Sequence, residues 1–233
     1  MVNIAIIGYG RMGKMVEQAA INRGHTITTI IDPKHPTHTH ISEKILDGAD
    51  VCIDFSHAEA VLENLRIAAQ MGINVVNGVT GWYEHLDQAK QIVENFKTGF
   101  LYSPNFALGV ALFSKIIGHA AKTFSPFSNY DVSGIEIHHN QKLDSPSGTA
   151  KALAKTIEKH LPNKRSVPFA SVRVGHDPGT HSVIFDSSVD TITLTHSARN
   201  REGFADGAVQ GAEWLKNKKG FFTLDDMISE KYL

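Results

Sequence analysis

Residues 3–22 read NIAIIGYGRMGKMVEQAAIN, and the fold follows from how this stretch changes its period. Residues 3–7 form a short, nearly continuous apolar run, which suits a strand covered on both faces. Residues 11–22 carry apolar side chains at three- and four-residue spacing, as an amphipathic helix does. Between the two lie Gly8, Gly10 and Gly13, a G-x-G-x-x-G spacing at a strand-to-helix turn. Gly8 allows the tight turn, Gly10 lets backbone approach a pyrophosphate, and Gly13 permits close packing of helix on strand. The helix start adds unpaired N–H groups and a partial positive charge. Asp32 follows Gly13 by 19 residues and ends the next apolar run, where a carboxylate can accept from both ribose hydroxyls. Glycines alone could merely close a turn; strand, helix and distant acid together point to a bound dinucleotide. Asp32 repels a 2′-phosphate and Pro33 supplies no backbone donor, whereas Lys34 and His35 lie close enough to offset that repulsion. The expectation is NADH, with NADPH tolerated.

Outward from this unit the same rhythm continues to about residue 106. TITTII (26–31), DVCIDF (50–55), INVVN (73–77) and GFLYS (99–103) read as strands, separated by helical patterns over 58–72 and 84–96. That alternation predicts an α/β fold, a Rossmann-type doubly wound parallel sheet. Beyond residue 106 the texture changes. A helical face of Val110, Phe113, Ile117 and Ala121 precedes a strand at 130–139, and strands at 169–175, 181–187 and 190–198 follow, with HDPG (176–179) as a turn. These predict a second α+β domain with a mixed or antiparallel sheet. Residues 204–220 read as a helix, with a short closing segment that can return to the first domain. The expected division is therefore 1–106 with 204–233 for the dinucleotide, and 107–203 for the second domain.

Of 233 residues, 42% are apolar and 20% charged, with a formal net charge of -1. There is no basic excess to favour nucleic acid or acidic membrane, and no apolar run long enough to cross a bilayer. Cys52, the single cysteine, excludes an internal disulfide and is expected to be buried. The opening residues lack the basic flank and long apolar core of a secretory signal, so a cytoplasmic location is expected.

Two loops end predicted strands on the edge where open α/β sheets bind ligands: NGVTGW (77–82) and YSPNFALG (102–109). Gly78 and Gly81 permit close backbone approach, Asn105 can bond an amide or a ribose, and Phe106 can pack on a ring. The densest chemistry lies at 134–157, GIEIHHNQKLDSPSGTAKALAKTI. Ser147 is placed to cap a helix starting near Gly148 and Thr149, whose free N–H groups favour an anion. With Lys142 and His139 beside them, they can hold the carboxylates of a small substrate while His138 exchanges a proton near neutrality. The other reading is a solvated loop with Asp144 paired to Lys142 and Ser147 only capping. A metal is not expected: neither the 138–139 pair nor His35, His38 and His40 has the spacing of a closed zinc site, and the latter three read as an exposed loop.

GRMG, IDFS, GVTG, SPNFALGV, HHNQKLDSPSGTA and FADGAVQGAEWL together resemble the 4-hydroxy-tetrahydrodipicolinate reductase (dihydrodipicolinate reductase) family, nearly end to end. The resemblance implies an NAD(P)H-dependent oxidoreductase of lysine and diaminopimelate synthesis. It also implies a homotetramer built through the second domain's sheet. It makes His138 the general acid and Lys142 its catalytic companion, with His139, Gly148 and Thr149 as substrate ligands. Gly8, Tyr9, Gly10, Arg11, Met12, Gly13, Asp32, Gly78, Val79, Thr80, Ser103, Pro104, Asn105 and Phe106 become the cofactor surface. The substrate implied is a cyclic imine dicarboxylate. Asp32-Pro33 stands where some members have an acid-arginine pair. Another small-molecule NAD(P)-dependent dehydrogenase, or a dinucleotide sensor without turnover, are the competing readings.

Overall fold

The computed structural model describes residues 1–34, 38–161 and 166–232. The chain divides into two compact units, Met1–Ala107 with Glu202–Leu233, and Leu108–Arg201. In the first, strands β1 (Asn3–Ile7), β2 (Thr26–Ile31), β3 (Val51–Asp54), β4 (Asn74–Asn77) and β5 (Gly99–Tyr102) alternate with helices α1 (Arg11–Asn22), α2 (Glu43–Leu46), α3 (Val61–Gln70) and α4 (Leu86–Phe96). Helix α7 (Glu202–Leu215), strand β10 (Gly220–Thr223) and helix α8 (Leu224–Tyr232) complete the unit. The sheet is parallel throughout, in the order β10-β5-β4-β3-β1-β2.

Burial on both faces explains the near-continuous apolarity of these strands. Ala5, Ile7, Cys52, Val75 and Phe100 face α3 and α4, where Leu65, Ala69, Ile92 and Val93 meet them. Alternate residues such as Ile6, Val76 and Leu101 point to the other face, where the glycines Gly13 of α1 and Gly211 of α7 bring their helices close. Helices α1 and α7 are clasped at their rim by Arg23, which donates to Glu213 at 2.9 Å and Asp206 at 3.0 Å.

The short closing segment proved to be a sixth strand and a helix. Its docking depends on buried Asn74, whose Oδ1 accepts from Gly99 N–H at 2.6 Å while Nδ2 donates to the carbonyl of Leu215 at 2.6 Å and of Lys218 at 3.1 Å. A β-carbon at Gly99 would lie 2.5 Å from the Lys218 carbonyl oxygen, so only glycine lets the returning chain pass. Four residues of β10 gave too short a pattern to be read as a strand. The same holds for α2.

In the second unit, β6 (Asp131–His138), β7 (Phe169–Arg173), β8 (Thr180–Asp186) and β9 (Thr191–Ser197) form one mixed sheet, ordered β7-β6-β8-β9. The β6–β7 pair is parallel and the other two are antiparallel. Because β6 lies between β7 and β8, the turn at 176–179 does not make a hairpin. Helices α5 (Leu108–Phe124) and α6 (Gly148–Glu158) cover one face, with Phe113, Ile117, Leu153 and Ile157 against Val132, Val183 and Phe185. The opposite face carries Ile135, Ile137, Val172 and Ile184 among hydroxyl residues; Ile135 is 38% and Val172 42% exposed.

Phe100 is fully buried and stacks on Phe221 at 5.2 Å, with Trp82 edge-on at 5.8 Å, so it joins β5, β10 and the 77–82 turn. Phe100→Ala is expected to destabilise the first unit by about 3–5 kcal/mol. Both tryptophans, Trp82 and Trp214, lie in that unit, so urea unfolding followed by tryptophan fluorescence reads it directly. A loss below about 1 kcal/mol would show that the aromatic layer does not hold the sixth strand.

Candidate active site

The strand order of the first sheet reverses direction between β1 and β3, and the crevice at such a point is where doubly wound sheets take ligands. Gly8 ends β1 there with φ +87°, and a β-carbon on it would lie 2.6 Å from the Phe55 backbone that follows β3. A β-carbon on Gly13 would lie 2.1 Å from the Gly8 carbonyl oxygen. Gly10 differs: a β-carbon there meets nothing within 4 Å, so packing does not demand this glycine, and the space beside the turn suits an approaching pyrophosphate. Helix α1 has no side-chain cap and no acid in its first turn. Its leading N–H groups therefore keep their preference for an anion.

Asp32 is drawn to this turn. Its Oδ2 accepts from Tyr9 N–H at 2.7 Å and its Oδ1 from Lys34 N–H at 2.8 Å. Tyr9 bonds Glu17 through its hydroxyl, Arg11 is exposed, and Met12 is half-buried. On the neighbouring strand ends, Gly78 is required by Phe55, whose ring would lie 2.1 Å from a β-carbon. Val79 is buried with its N–H on Asn77 Oδ1, and Thr80 is exposed. Ser103 and Asn105 fold the next turn onto itself: Ser103 Oγ donates to the Asn105 carbonyl at 2.7 Å, and Asn105 Oδ1 accepts from Ala107 N–H at 2.8 Å. Pro104 is exposed, while the Phe106 ring is buried edge-on to Phe55 at 6.4 Å, so its side chain belongs to the core. Glycine turn, open helix start and oriented acid fit a dinucleotide. His35 lies outside the described residues; His38 is half-buried and gives its carbonyl to Asp32 N–H, and His40 is exposed.

The second unit gathers the charged motif at the end of β6. Strand alternation turns Glu136 and His138 to the helix-covered face, and sheet register sets Ser171 and His181 on either side of Glu136 and Arg173 beside His138. Glu136 is fully buried. Its Oε1 accepts from Arg173 Nη2 at 2.7 Å and from Ser147 N–H at 3.2 Å, and its Oε2 contacts His138 Nδ1. Burial alone would raise this carboxyl, but Arg173, Ser171, the Ser147 amide and His138 together hold it at about 2. Burial lowers the pKa of His138, with Glu136 opposing and Lys142 and Arg173 assisting. His181 falls to about 4, through burial first and then His138. Neutral His181 suits its contact with Ser147: that hydroxyl accepts from Ala150 N–H at 3.2 Å, leaving its own proton for His181 Nε2, also at 3.2 Å.

Lys142 Nζ donates to Asp144 Oδ1 at 2.6 Å, so the pairing expected of a solvated loop is present. Asp144 is held below its ordinary range by Lys142 first, and the Gly148 amide adds to the effect. The chain's own carboxylate thus sits where Lys142 and the start of α6 favour negative charge. Gly148 is exposed, Thr149 half-buried, and His139 donates its N–H to the Asp177 carbonyl at 2.8 Å. His138, His139, Lys142, Gly148 and Thr149 therefore share one end of one sheet. Glu136, Arg173 and His181 were missed. The signal for Glu136 was its place two residues before His138, on the same strand face; the others needed the register.

Glu136, His138 and His181 also bring ligand-type atoms within 4.8 Å of one another. The Arg173 guanidinium on Glu136 and the Ser147 hydroxyl on His181 already engage this set, and a fixed cation beside it disfavours a second one. Chemically, the arrangement is suited to holding and exchanging a proton.

Comparison with known proteins agrees with these features. The family model "Dihydrodipicolinate reductase, N-terminus" matches residues 2–106, and "Dihydrodipicolinate reductase, C-terminus" matches 109–228. The 4-hydroxy-tetrahydrodipicolinate reductase of Christiangramia forsetii is 39% identical, covering 99% of each chain. That of Archaeoglobus fulgidus is 35% identical over 97% of this chain and 100% of its own. A solved dipicolinate-bound dihydrodipicolinate reductase from Paenisporosarcina sp. TG-14 superposes with a TM-score of 0.82 at 26% identity, covering 97% of this chain and 99% of the other. By length, motif and architecture, the chain belongs to the dihydrodipicolinate reductase family.

Proposed function

We propose that this protein converts the cyclic imine dicarboxylate 4-hydroxy-tetrahydrodipicolinate, which loses water to become dihydrodipicolinate, to tetrahydrodipicolinate, with NADH or NADPH as reductant, in lysine and diaminopimelate synthesis. The observation that carries the reading is the end of β6, where an imidazole, a lysine and a helix start share one loop in a chain 39% identical to a named reductase. The dinucleotide, when bound, supplies the hydride. Gly8 to Gly13 and the start of α1 take its pyrophosphate, Asp32 its ribose, and the 78–80 and 103–106 turns the remaining surface. Lys142, His139 and the amides of Gly148 and Thr149 take the substrate carboxylates; a substrate carboxylate reaches Lys142 by replacing Asp144. His138 would give its proton to the ring carbon next to the one that takes the hydride, so that the C=C bond conjugated with the imine becomes a single bond and no carbanion remains.

NADH is the favoured reductant, because Asp32 places negative charge at the ribose edge and already accepts two backbone N–H groups. A cytoplasmic location fits one unpaired, buried cysteine. Residues 1–106 with 204–233 serve the nucleotide, and 107–203 serve substrate and assembly. The second sheet's open face, with Ile135 in a row with Ser182 and Thr195, Val172 beside Ile137, and Ile184 between Ser133 and Thr193, supports self-association as a homotetramer.

With freshly prepared substrate, the protein is expected to oxidise NADH, and His138→Gln to lower kcat by roughly 10²- to 10⁴-fold with dinucleotide affinity nearly intact. Cofactor binding without turnover would sink the reductase reading in favour of a sensor. Asp32→Ser should move the ratio of kcat/KM values toward NADPH; an unaltered ratio would place the choice elsewhere. Ile135→Glu should shift a tetramer to smaller species in sedimentation, since a charge in an apolar contact face opposes docking. An unchanged sedimentation profile would remove the sheet face from the assembly.

A further inference from the structure

Arg173 is the point through which the cluster is tied. Its Nη2 donates to Glu136 Oε1 at 2.7 Å and to the Asp144 carbonyl at 2.6 Å. Its Nε donates to the Lys142 carbonyl at 3.3 Å, and its Nη1 to the Val172 carbonyl at 2.9 Å. One planar cation therefore grips both the carboxylate behind His138 and the loop that carries Lys142. On the far edge of the His138 ring, a β-carbon at Gly179 would lie 3.0 Å from Nε2, and Gly179 has φ +145°. A side chain there would be strained and would crowd that nitrogen.

We propose that buried Glu136 and half-buried Arg173 are a positioning pair: Glu136, held by Arg173, turns the His138 ring so that Nδ1 faces the protein and Nε2 meets substrate. The same guanidinium keeps the Lys142 loop in register with that ring. The proposal rests on His138 being the proton donor. A neutral imidazole beside a carboxylate donates its Nδ1–H, which leaves Nε2 to exchange protons. Among the described residues, the charged and titratable groups around His138 are Glu136 on its own strand, Lys142 on the following loop, Arg173 on β7 and His181 on β8, with His196 and Asp177 acting on His181. His181 is neutral near pH 7. Glu136 alone among the groups that shift His138 favours the imidazolium; burial, Lys142 and Arg173 oppose it. Removing the Glu136 charge must therefore lower the pH at which His138 loses its proton. Lysine at 173 would keep the charge but not the fork that reaches a carboxylate and carbonyls at once.

Nitrogen-15 NMR of the histidine rings tests this. In the unaltered protein, deprotonated His138 should be the Nδ1–H tautomer; the Nε2–H tautomer overturns the proposal without any variant. In folded Glu136→Gln, the His138 titration and the alkaline limb of the kcat profile should both move down by about one pH unit. A His138 titration at its original position overturns the proposal even if activity is lost. Arg173→Lys should lower kcat by on the order of 10²-fold and raise KM for the dicarboxylate, with dinucleotide affinity retained. Unchanged kcat and KM overturn its role. Should His138→Gln keep full kcat, the proton-donor reading fails by itself, while the tautomer and titration still judge the pair.

Discussion

A carboxylate without solvent must find cationic and N–H partners, and Glu136 imposes that demand on the second unit. Leaving such a charge uncompensated costs several kcal/mol. The sheet answers with Arg173 from β7, and α6 answers with the Ser147 amide at its entry. Arg173 then reaches the carbonyls of Lys142 and Asp144. One buried charge thus decides where β7 lies against β6, where α6 begins, and how the loop between them runs. The histidine beside it inherits an orientation and an electrostatic surrounding it would not have on an open loop.

In the first unit the governing constraint is the opposite, an absence of atoms. Gly8 against the Phe55 backbone, Gly13 against the Gly8 carbonyl and Gly78 against the Phe55 ring are three contacts that a methyl group would break. They draw the ends of β1, β3 and β4 together at the crevice. Gly10 needs no such explanation from packing, and its openness marks the side of the turn available to a ligand.

The α/β rhythm was legible because strands buried on both faces are unbroken apolar runs and their helices carry a clear three-to-four spacing. The motif at 138–149 was legible for a different reason, since its residue types are improbable in a plain loop. Arg173 and His181 were not legible, because they reach Glu136 through the pairing of β7 and β8 with β6, and register is written in no short segment. Phe106 was read for its aromatic face, but the ring is edge-on to Phe55 in the core and only backbone remains for a ligand. Strand β10 escaped because its signal is not its own composition but an asparagine 146 positions earlier, Asn74.

That asparagine orders events during synthesis. A nascent chain through Tyr102 has five strands and an outer edge whose N–H and C=O groups await a neighbour that is made only after residues 108–201. The intervening residues, 108–201, are a compact unit of their own and are synthesised before the neighbour arrives. Until residues 215–223 emerge, the Asn74 amide has lost its carbonyl partners and the β5 edge stays open to pairing with another copy. Because residues 108–201 are made between β5 and β10, strand β10 seals the edge of the first sheet only after the second unit has been synthesised.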